Sequence, residues 1–216
     1  MQLKSSLRTK KIIRKKVRGS DNGHSLFQVR GTMKLLFISL GCDKNLVDSE
    51  YMIGMLTNHG IELTDDETEA DIIIVNSCCF IGDAKEESIN TILEMAQQKK
   101  TGKCRSLIVT GCLTQRYQEE VKQEIPEVDA ILGTNSYDSI WDAVKETLDD
   151  KFYENFHTLT GLPHVDTKRT ITTGGHFAYL KIAEGCNKNC TYCVIPSVRG
   201  RYRSVPLEEL VASAKE

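Results

Sequence analysis

The stretch that decides the fold is DIIIVNSC at residues 71–78, a run of β-branched residues that ends in a serine and a cysteine. Its apolar part, Asp71–Asn76, is typical of a central parallel strand, because such strands are buried on both faces. Helical periodicity follows over Ala84–Lys99, and a second apolar run follows over Ser106–Thr110. A strand, a helix and a further strand in this order predict a parallel sheet with helices packed on it.

The same alternation extends to both sides of this unit. An apolar run over Lys34–Leu40 predicts a buried strand, and the spacing over Leu46–Asn58 predicts a helix. Ile61–Leu63 is at best a short edge strand. Further along, the pattern predicts a helix, a strand and a helix, at Leu113–Glu124, Asp129–Leu132 and Ser136–Leu148. We therefore expect an α/β domain with a doubly wound parallel sheet over residues 33–148.

The pattern changes after residue 148. Residues 149–176 contain Gly161, Pro163 and the run ITTGGH, which predict a linker with room for a β-hairpin. Phe177–Ala183 then reads as a new strand, and a helix begins at Leu207 behind a proline. One strand and one helix cannot bury a core, so we expect residues 177–216 to be the truncated beginning of a second domain.

Charge is distributed unevenly along the 216 residues. Residues 1–32 contain nine Lys and Arg and one acidic residue, although the whole chain has a net charge of −2. The remainder is therefore acidic, which argues against a general nucleic-acid binder with a basic folded surface. No run of about 18 apolar residues occurs, which excludes a membrane-spanning helix. Because residues 1–32 lack an apolar signal region, we expect a basic disordered leader.

The chain has eight cysteines, a large number for its length. Disulfide frameworks are typical of small secreted domains with poor cores, whereas this chain has abundant βα patterning and no secretory signal. We therefore expect a reduced, cytoplasmic protein whose cysteines serve metal binding or redox chemistry.

The strongest motif is CNKNCTYC, which contains Cys186, Cys190 and Cys193 and which we call the loop trio. Three thiolates within eight residues can converge on one soft metal centre. Structural zinc takes four ligands, and no fourth cysteine or suitably spaced histidine follows. A cubane iron–sulfur cluster needs one outer ligand for each of its four irons, so three cysteines leave one iron open. That iron could chelate the amino and carboxylate groups of a methionine moiety.

A second trio emerges from the expected fold. Cys42, Cys78 and Cys112 each follow one of three predicted parallel strands, and we call them the sheet-edge trio. Because the carboxyl ends of parallel strands share one edge, these thiols should come together there and form a second three-thiolate site. Gly41 and Gly111 would let the backbone approach a bulky cluster. The alternative is that these cysteines are three small core residues.

Other residues near the trios give weaker signals. Cys79 and Cys104 read as ordinary residues, with Cys79 as the better candidate for a spare ligand. Asn45 is the natural N-cap of the first helix, and the preceding Lys44 could supply charge near an anionic cluster. The arginines after the loop trio either bind an acidic substrate or cofactor carboxylate or are solvated loop charges; they are Arg199, Arg201 and Arg203.

Taken together, these motifs resemble the methylthiotransferase branch of the radical S-adenosylmethionine enzymes. The resemblance is carried by SLGCDKNLVDSE, NSCCFIGDAKEESI, TGCLTQRY and LKIAEGCNKNCTYCVIPSVRGRYRS, and it covers Lys34–Ser204. Within that branch the chain is similar to the RimO type, because Lys44 precedes Asn45 where the tRNA-modifying MiaB type has methionine. Ser77, where threonine is commoner, and the extra thiol of Cys79 depart from the family pattern.

The resemblance implies a transferase with two [4Fe–4S] clusters. The loop trio would hold the cluster that binds and reductively cleaves S-adenosylmethionine, with Tyr192 beside the adenine. The sheet-edge trio would hold an auxiliary cluster that carries the sulfur, and the product would be a methylthio group on the β-carbon of an aspartate in small-subunit ribosomal protein S-twelve. The implied partners are this substrate and a reductant protein such as flavodoxin or ferredoxin, with no membrane or DNA partner.

The family continues with the rest of a partial (β/α) barrel and a small β-barrel domain. We therefore expect this chain by itself to assemble the auxiliary cluster without turning over. Two other functions stay open at this point. One is a MiaB-type tRNA adenosine methylthiotransferase, and the other is a non-catalytic zinc module that binds RNA or protein.

Overall fold

The computed structural model of the protein describes residues 11–12, 32–163 and 168–215. Its elements are, in chain order, β1 Lys11–Ile12, β2 Lys34–Ser39, α1 Asp43–Asn58, β3 Glu62–Leu63, β4 Ile72–Ser77, α2 Gly82–Ala96, α3 Gln98–Thr101, β5 Ser106–Gly111, α4 Cys112–Arg116, α5 Gln118–Glu124, β6 Ala130–Leu132, α6 Ile140–Leu148, β7 Tyr153–Asn155, β8 Ala183–Glu184, α7 Ile195–Arg199, β9 Arg203–Ser204 and α8 Leu207–Lys215. A 3₁₀ turn, Tyr137–Ser139, precedes α6.

A single sheet organises the first three quarters of the molecule. Its main path runs β1-β2-β4-β5-β6-β7, and β3 also pairs with β2. Strands β2 to β7 are parallel, whereas β1 is antiparallel to β2. The predicted α/β class with a parallel sheet is therefore confirmed. The order also places the three strands that precede the sheet-edge trio, β2, β4 and β5, next to one another.

Helices cover both faces of this sheet because the strands are apolar on both sides. Residues such as Ile73 and Val109 face a core that includes side chains of α2, α4 and α5. Their neighbours Ile74 and Ile108 face a second core, built with α1 and α6. All four side chains are completely buried. Burial on two faces is the reason why these strands read as continuous β-branched runs.

Several predicted elements have different bounds in the structure. Helix α1 begins at Asp43, three residues before the predicted start, and Cys42 occupies its N-cap without a capping side-chain hydrogen bond. The capping role predicted for Asn45 is therefore wrong. Its buried amide donates instead to the carbonyls of Leu40, at 3.0 Å, and Ser77, at 2.9 Å. These two carbonyls lie just past β2 and at the end of β4, where the sheet ladder ends.

The segment predicted as a linker contributes to the sheet. Tyr153–Asn155 forms β7, which pairs in parallel with β6. In contrast, the strand predicted over Phe177–Ala183 is wrong, since only Ala183–Glu184 pairs, with Arg203–Ser204. Phe177 and Ile182 are exposed.

The leader lies mostly outside the described residues. Its described part, Lys11–Ile12, pairs with Ser39 and Ile38 at the edge of the sheet, which differs from the disorder expected there. No helix of the described residues is both long and apolar enough to cross a membrane.

Residues 168–172 cross helix α1 and bring the chain back towards the sheet edge. The Glu50 carboxylate accepts hydrogen bonds from the backbone N–H and hydroxyl of Thr172, at 2.6 and 2.7 Å. It also pairs with Arg169, at 3.3 Å. Gly54 permits the crossing, because a Cβ there would lie 2.2 Å from the carbonyl oxygen of Lys168. The C-terminal segment is thus fixed to α1 before the loop trio begins.

Candidate functional site

The sheet-edge trio lies at the carboxyl ends of three adjacent strands. Cys78 follows β4 directly, and Cys112 follows β5 directly. The pairing of Ser77 with Gly111 puts these two cysteines at equivalent positions on neighbouring strands. Cys42 follows the end of β2 and precedes α1. The structure therefore brings all three residues to one edge, as the predicted topology requires.

The three thiols differ in exposure. Cys42 is exposed, whereas Cys78 and Cys112 are buried. Burial raises the pKa of the Cys112 thiol to about 12, and the nearby Arg199 guanidinium opposes this shift. Binding a metal centre requires thiolates, so ligation at Cys112 would displace a firmly held proton.

The three thiols and their common edge suit an iron–sulfur cluster in chemistry. Their side chains are not arranged as a metal site in the structure. Among residues 11–12, 32–163 and 168–215, no three His, Cys, Asp or Glu side chains lie in an arrangement that could hold a metal ion.

Gly41 and Gly111, which precede two cysteines of the sheet-edge trio, leave room for neighbouring atoms of the protein itself. Gly41 has a φ of +88°, and a Cβ there would lie 2.7 Å from Sγ of Cys78. Gly111 has a φ of +101°, and a Cβ there would lie 2.4 Å from Oδ1 of Asn76. In the structure, then, the missing side chains permit close packing between neighbouring strand ends, in a backbone conformation that favours glycine.

The loop trio occupies the turn between β8 and α7. Cys190 is exposed, and Cys186 and Cys193 are half-buried. The turn is closed by backbone hydrogen bonds, from Cys193 N–H to the carbonyl of Cys190 at 3.1 Å and from Cys186 N–H to that of Gly200 at 3.0 Å. Tyr192, the residue implied to lie beside an adenine, is 89% exposed on this turn. An exposed turn leaves these thiols accessible to an incoming metal centre.

The two surplus cysteines lie in different environments. The Cys79 thiol donates to the backbone carbonyl of Cys112, at 3.1 Å, inside the core shared with α2 and α4. Burial raises its pKa. Cys104 precedes β5, at the opposite end of the sheet from the trio, and burial raises its pKa to about 11.

A group of buried charges connects the two trios, and sequence reasoning missed it. We call it the charged cluster; its members are Asp48 of α1, Lys181, Glu184 of β8 and Arg199 of α7. Nη1 of Arg199 lies 2.7 Å from Oδ2 of Asp48 and 3.0 Å from Oε2 of Glu184. Lys181 pairs with both carboxylates as well. Each of the four side chains is at most 9% exposed.

Opposite charges compensate for the burial of this cluster. Burial disfavours the ionised form of Glu184, but Arg199, Lys181 and Lys44 together hold the pKa of its carboxyl down at about 2. Lys44 also donates to the carbonyl of Ala183, at 2.7 Å. Lys44 therefore binds the strand that precedes the loop trio.

The arginines after the loop trio do not behave alike. Arg199 is buried and bridges two acidic side chains of the protein itself, so its interpretation as a solvated or ligand-binding charge is wrong. Arg203 is half-buried and donates to the carbonyls of Arg199 and Arg201, and Arg201 itself is exposed. The residues of the Arg199–Asp48 pair are 151 positions apart. No local spacing pattern reports a pairing over that distance.

Comparison with known proteins gives consistent matches. A sequence model of the uncharacterized protein family UPF0004 matches residues 34–133. The chain is 62% identical over 183 residues to a protein of Lachnoclostridium phytofermentans named ribosomal protein uS12 methylthiotransferase RimO, covering 85% of this chain and 42% of that protein. Proteins with the same name from Clostridioides difficile and Geobacter sulfurreducens are 51% and 50% identical, over 85% and 84% of this chain and 41% of each relative. The chain thus spans about two fifths of the length of the curated relatives that it matches.

Proposed function

We propose that the chain is part of a methylthiotransferase of the RimO type, and that the whole protein adds a methylthio group to the β-carbon of an aspartate in ribosomal protein uS12. The observation that carries this proposal is the identity of 62% to a relative of that name, which extends over 85% of the chain. The preference for uS12 over a tRNA substrate rests on the shared name of the similar proteins. The placement of Cys42, Cys78 and Cys112 at one sheet edge independently supports methylthiotransferase chemistry, whichever substrate is used.

The two trios are the proposed ligands of two [4Fe–4S] clusters. With three thiolates each, they would leave one iron of each cluster open, and the clusters would supply reductive cleavage of S-adenosylmethionine at the loop trio and sulfur delivery at the sheet-edge trio. Tyr192 is the proposed neighbour of the adenine of S-adenosylmethionine, since it lies exposed inside the loop trio. The proposed partners are uS12 and a cytoplasmic reductant protein such as flavodoxin or ferredoxin.

The chain's own residues would position the reacting groups for this chemistry and bury part of the site. At the sheet-edge site, Cys78 and Cys112 are buried and Cys42 is exposed to solvent. The 168–172 crossing and the charged cluster hold the loop trio beside α1, at whose N-terminus Cys42 lies. Orientation of this kind is what the protein must supply when a cofactor carries the reaction.

Mass spectrometry of uS12 tests the proposed activity. A strain that lacks the full-length gene is complemented with the wild-type gene, with a C42A/C78A/C112A triple variant, or with K122M as a surface control. We expect the methylthio mass on uS12 with the wild type and K122M, and its loss with the triple variant. If the methylthio group is missing from tRNA alone in the deletion strain, the uS12 assignment is wrong.

Metal analysis tests the proposed cofactors separately. The full-length protein, purified without oxygen, should contain iron and acid-labile sulfide, and the C42A/C78A/C112A variant should lose about half of both, because one of two clusters lacks its ligands. Zinc without iron or sulfide would favour a non-catalytic zinc module and contradict the cluster proposal.

A further inference from the structure

Arg199 is a deeply buried cation that links the sheet domain to the segment that carries the loop trio. Its guanidinium meets Asp48 and Glu184 through Nη1, at 2.7 and 3.0 Å, and Asn45 through Nη2. Its side chain is 3% exposed. A planar guanidinium with fixed donor directions holds its acceptors in a defined arrangement, which a single ammonium does not do.

The partners of Arg199 flank both trios. Asn45 follows Cys42 in the first turn of α1, and its amide also bonds to the carbonyl of Ser77, the residue before Cys78. The Oδ1 atom of Asn45, to which Arg199 donates, also accepts from the Cys112 thiol, at 3.9 Å. Through Asn45, Arg199 is therefore connected to the neighbourhood of every member of the sheet-edge trio.

Arg199 also helps to close the loop that carries the loop trio. Glu184 lies two residues before Cys186, and Arg199 lies six residues after Cys193. The ion pair of Glu184 and Arg199 closes this loop at its base, and the hydrogen bond from Cys186 N–H to the carbonyl of Gly200 adds a backbone closure at 3.0 Å. A change at Arg199 thus alters how the loop is seated without touching its thiols.

Apolar packing gives this loop little directional seating. Among residues 177–215, Val198 is the one buried apolar residue, and Val194 packs partly buried against the same core. Hydrophobic burial is non-directional, whereas the ion pairs of the charged cluster fix the positions of donors and acceptors. The charged contacts with α1 therefore set the orientation of the loop.

We infer that Arg199 is a positioning residue, which sets the distance and orientation of the loop trio relative to the sheet-edge trio. This inference rests on the proposed function, in which a radical generated at one trio and sulfur held at the other must meet on one substrate atom. Misplacement by about 1 Å costs a reaction of this kind about 10²-fold in rate. The role is distinct from cluster ligation, because Arg199 offers no thiol.

The test compares R199M and R199K with wild type and with K122M, all in the full-length protein. Met preserves the length of the side chain but removes the charge and the planar fork, and Lys keeps the charge alone. K122M breaks the exposed ion pair of Lys122 with Glu154, at 2.9 Å. It serves as the matched control, because it also removes a cation but lies outside the charged cluster.

The first measurement is hydrogen exchange on the metal-free protein, which is independent of activity. We expect R199M to speed exchange in peptides from residues 181–200 and from the start of α1, while strands β4 and β5 keep wild-type protection. Unchanged exchange in residues 181–200 would overturn the inference. Equally accelerated exchange in β4 and β5 would also overturn it, since Arg199 would then stabilise the whole fold.

The second measurement is the yield of methylthio-uS12 per 5′-deoxyadenosine released by the reconstituted enzyme. We expect both variants to release 5′-deoxyadenosine within a few-fold of wild type, while R199M forms about 10²-fold less methylthio-uS12 and R199K about tenfold less. Wild-type product yield per 5′-deoxyadenosine in R199K overturns the inference. If R199M does not fold, because two buried carboxylates lose their partner, R199K decides. A wild-type enzyme that never modifies uS12 refutes the proposed function, and the hydrogen-exchange comparison then still decides the role of Arg199.

Discussion

The two cysteine trios lie on regions that are held together by different forces. The sheet domain, residues 32–163, has fully buried apolar side chains on both faces of its strands. The loop-trio segment, residues 177–215, adds only Val198 to the buried apolar core, contacts that domain through the charged cluster, and exposes large apolar side chains such as Phe177 and Ile182. Hydrophobic burial is non-directional, whereas paired buried charges are worth their desolvation cost only at good geometry. The sheet domain is thus stabilised mainly by apolar packing, whereas the buried ion pairs with α1 are the directional contacts of the loop-trio segment.

The largest expected effect is on the sheet domain. Ile74 is completely buried and lies between Phe37 of β2 and Ile108 of β5 in the sheet. Replacement by Ala should reduce the free energy of unfolding by about 2–5 kcal/mol, through lost burial and the cavity that remains. Urea unfolding followed by circular dichroism measures this. The control is L93A, because Leu93 on α2 is 44% exposed; if both variants lose equal stability, the packing argument for β4 fails.

A smaller and more local effect should follow from neutralising Glu184. The change Glu184→Gln keeps the side-chain shape but removes the negative charge that pairs with Lys181 and Arg199. Local opening of residues 181–200 should become easier by about 1–3 kcal/mol, since hydrogen bonds to charged groups are lost or weakened. Hydrogen exchange detects this as faster exchange in that segment with β4 and β5 unchanged. Slower or unchanged exchange there would show that the charge of Glu184 does not seat the loop.

Acid should produce a weaker version of the same effect. The pKa of Glu184 is lowered from its ordinary value of 4.5 to about 2, because buried cations stabilise the ionised form against the effect of burial. A carboxyl with a lowered pKa contributes stability that is fully present above 4.5 and is lost as the pH falls towards 2. Between pH 4.5 and 3, residues 181–200 should therefore loosen progressively. The E184Q variant should lack this dependence, and an equal acid response in both proteins would contradict the assignment.

The smallest expected effect is at the exposed ion pair of Lys122 and Glu154. Both side chains are about 40% exposed, so solvent screens their attraction and the pair is worth little. K122M should leave the urea midpoint of unfolding within experimental error of the wild-type value. A clear drop in that midpoint would mean that exposed charges also stabilise the sheet domain, and the contrast between the two regions would weaken.

Much of the sheet domain could be predicted from the sequence because its signals are local. Runs such as Asp71–Asn76 and Ser106–Thr110 combine β-branched residues with flanking helical periodicity, and the parallel order follows from that alternation. The placement of Cys78 and Cys112 at one edge then follows from topology alone. The bounds of α1 were missed because Asn45 has the chemistry of a cap, and its amide is used instead by the carbonyls of Leu40 and Ser77.

The C-terminal segment resisted prediction for a complementary reason. Phe177–Ala183 has the composition of a strand, but a strand requires a neighbour, and the described chain offers only Arg203–Ser204 to Ala183–Glu184. Conversely, β7 lies in a segment that reads as a linker, because three residues are too few to show a pattern and the open edge of β6 recruits them.

The amino-acid sequence by itself determined the α/β class, the parallel sheet and the identity of the six candidate thiolate ligands, because hydrophobic periodicity and cysteine spacing are written along the chain. Only the tertiary structure decided that Arg199 is buried against Asp48, 151 residues away, and that Gly41 and Gly111 make room for neighbouring strand ends. Pairings of this kind depend on which surfaces the folded sheet brings into contact. Charge complementarity over such distances has no period that a sequence can display.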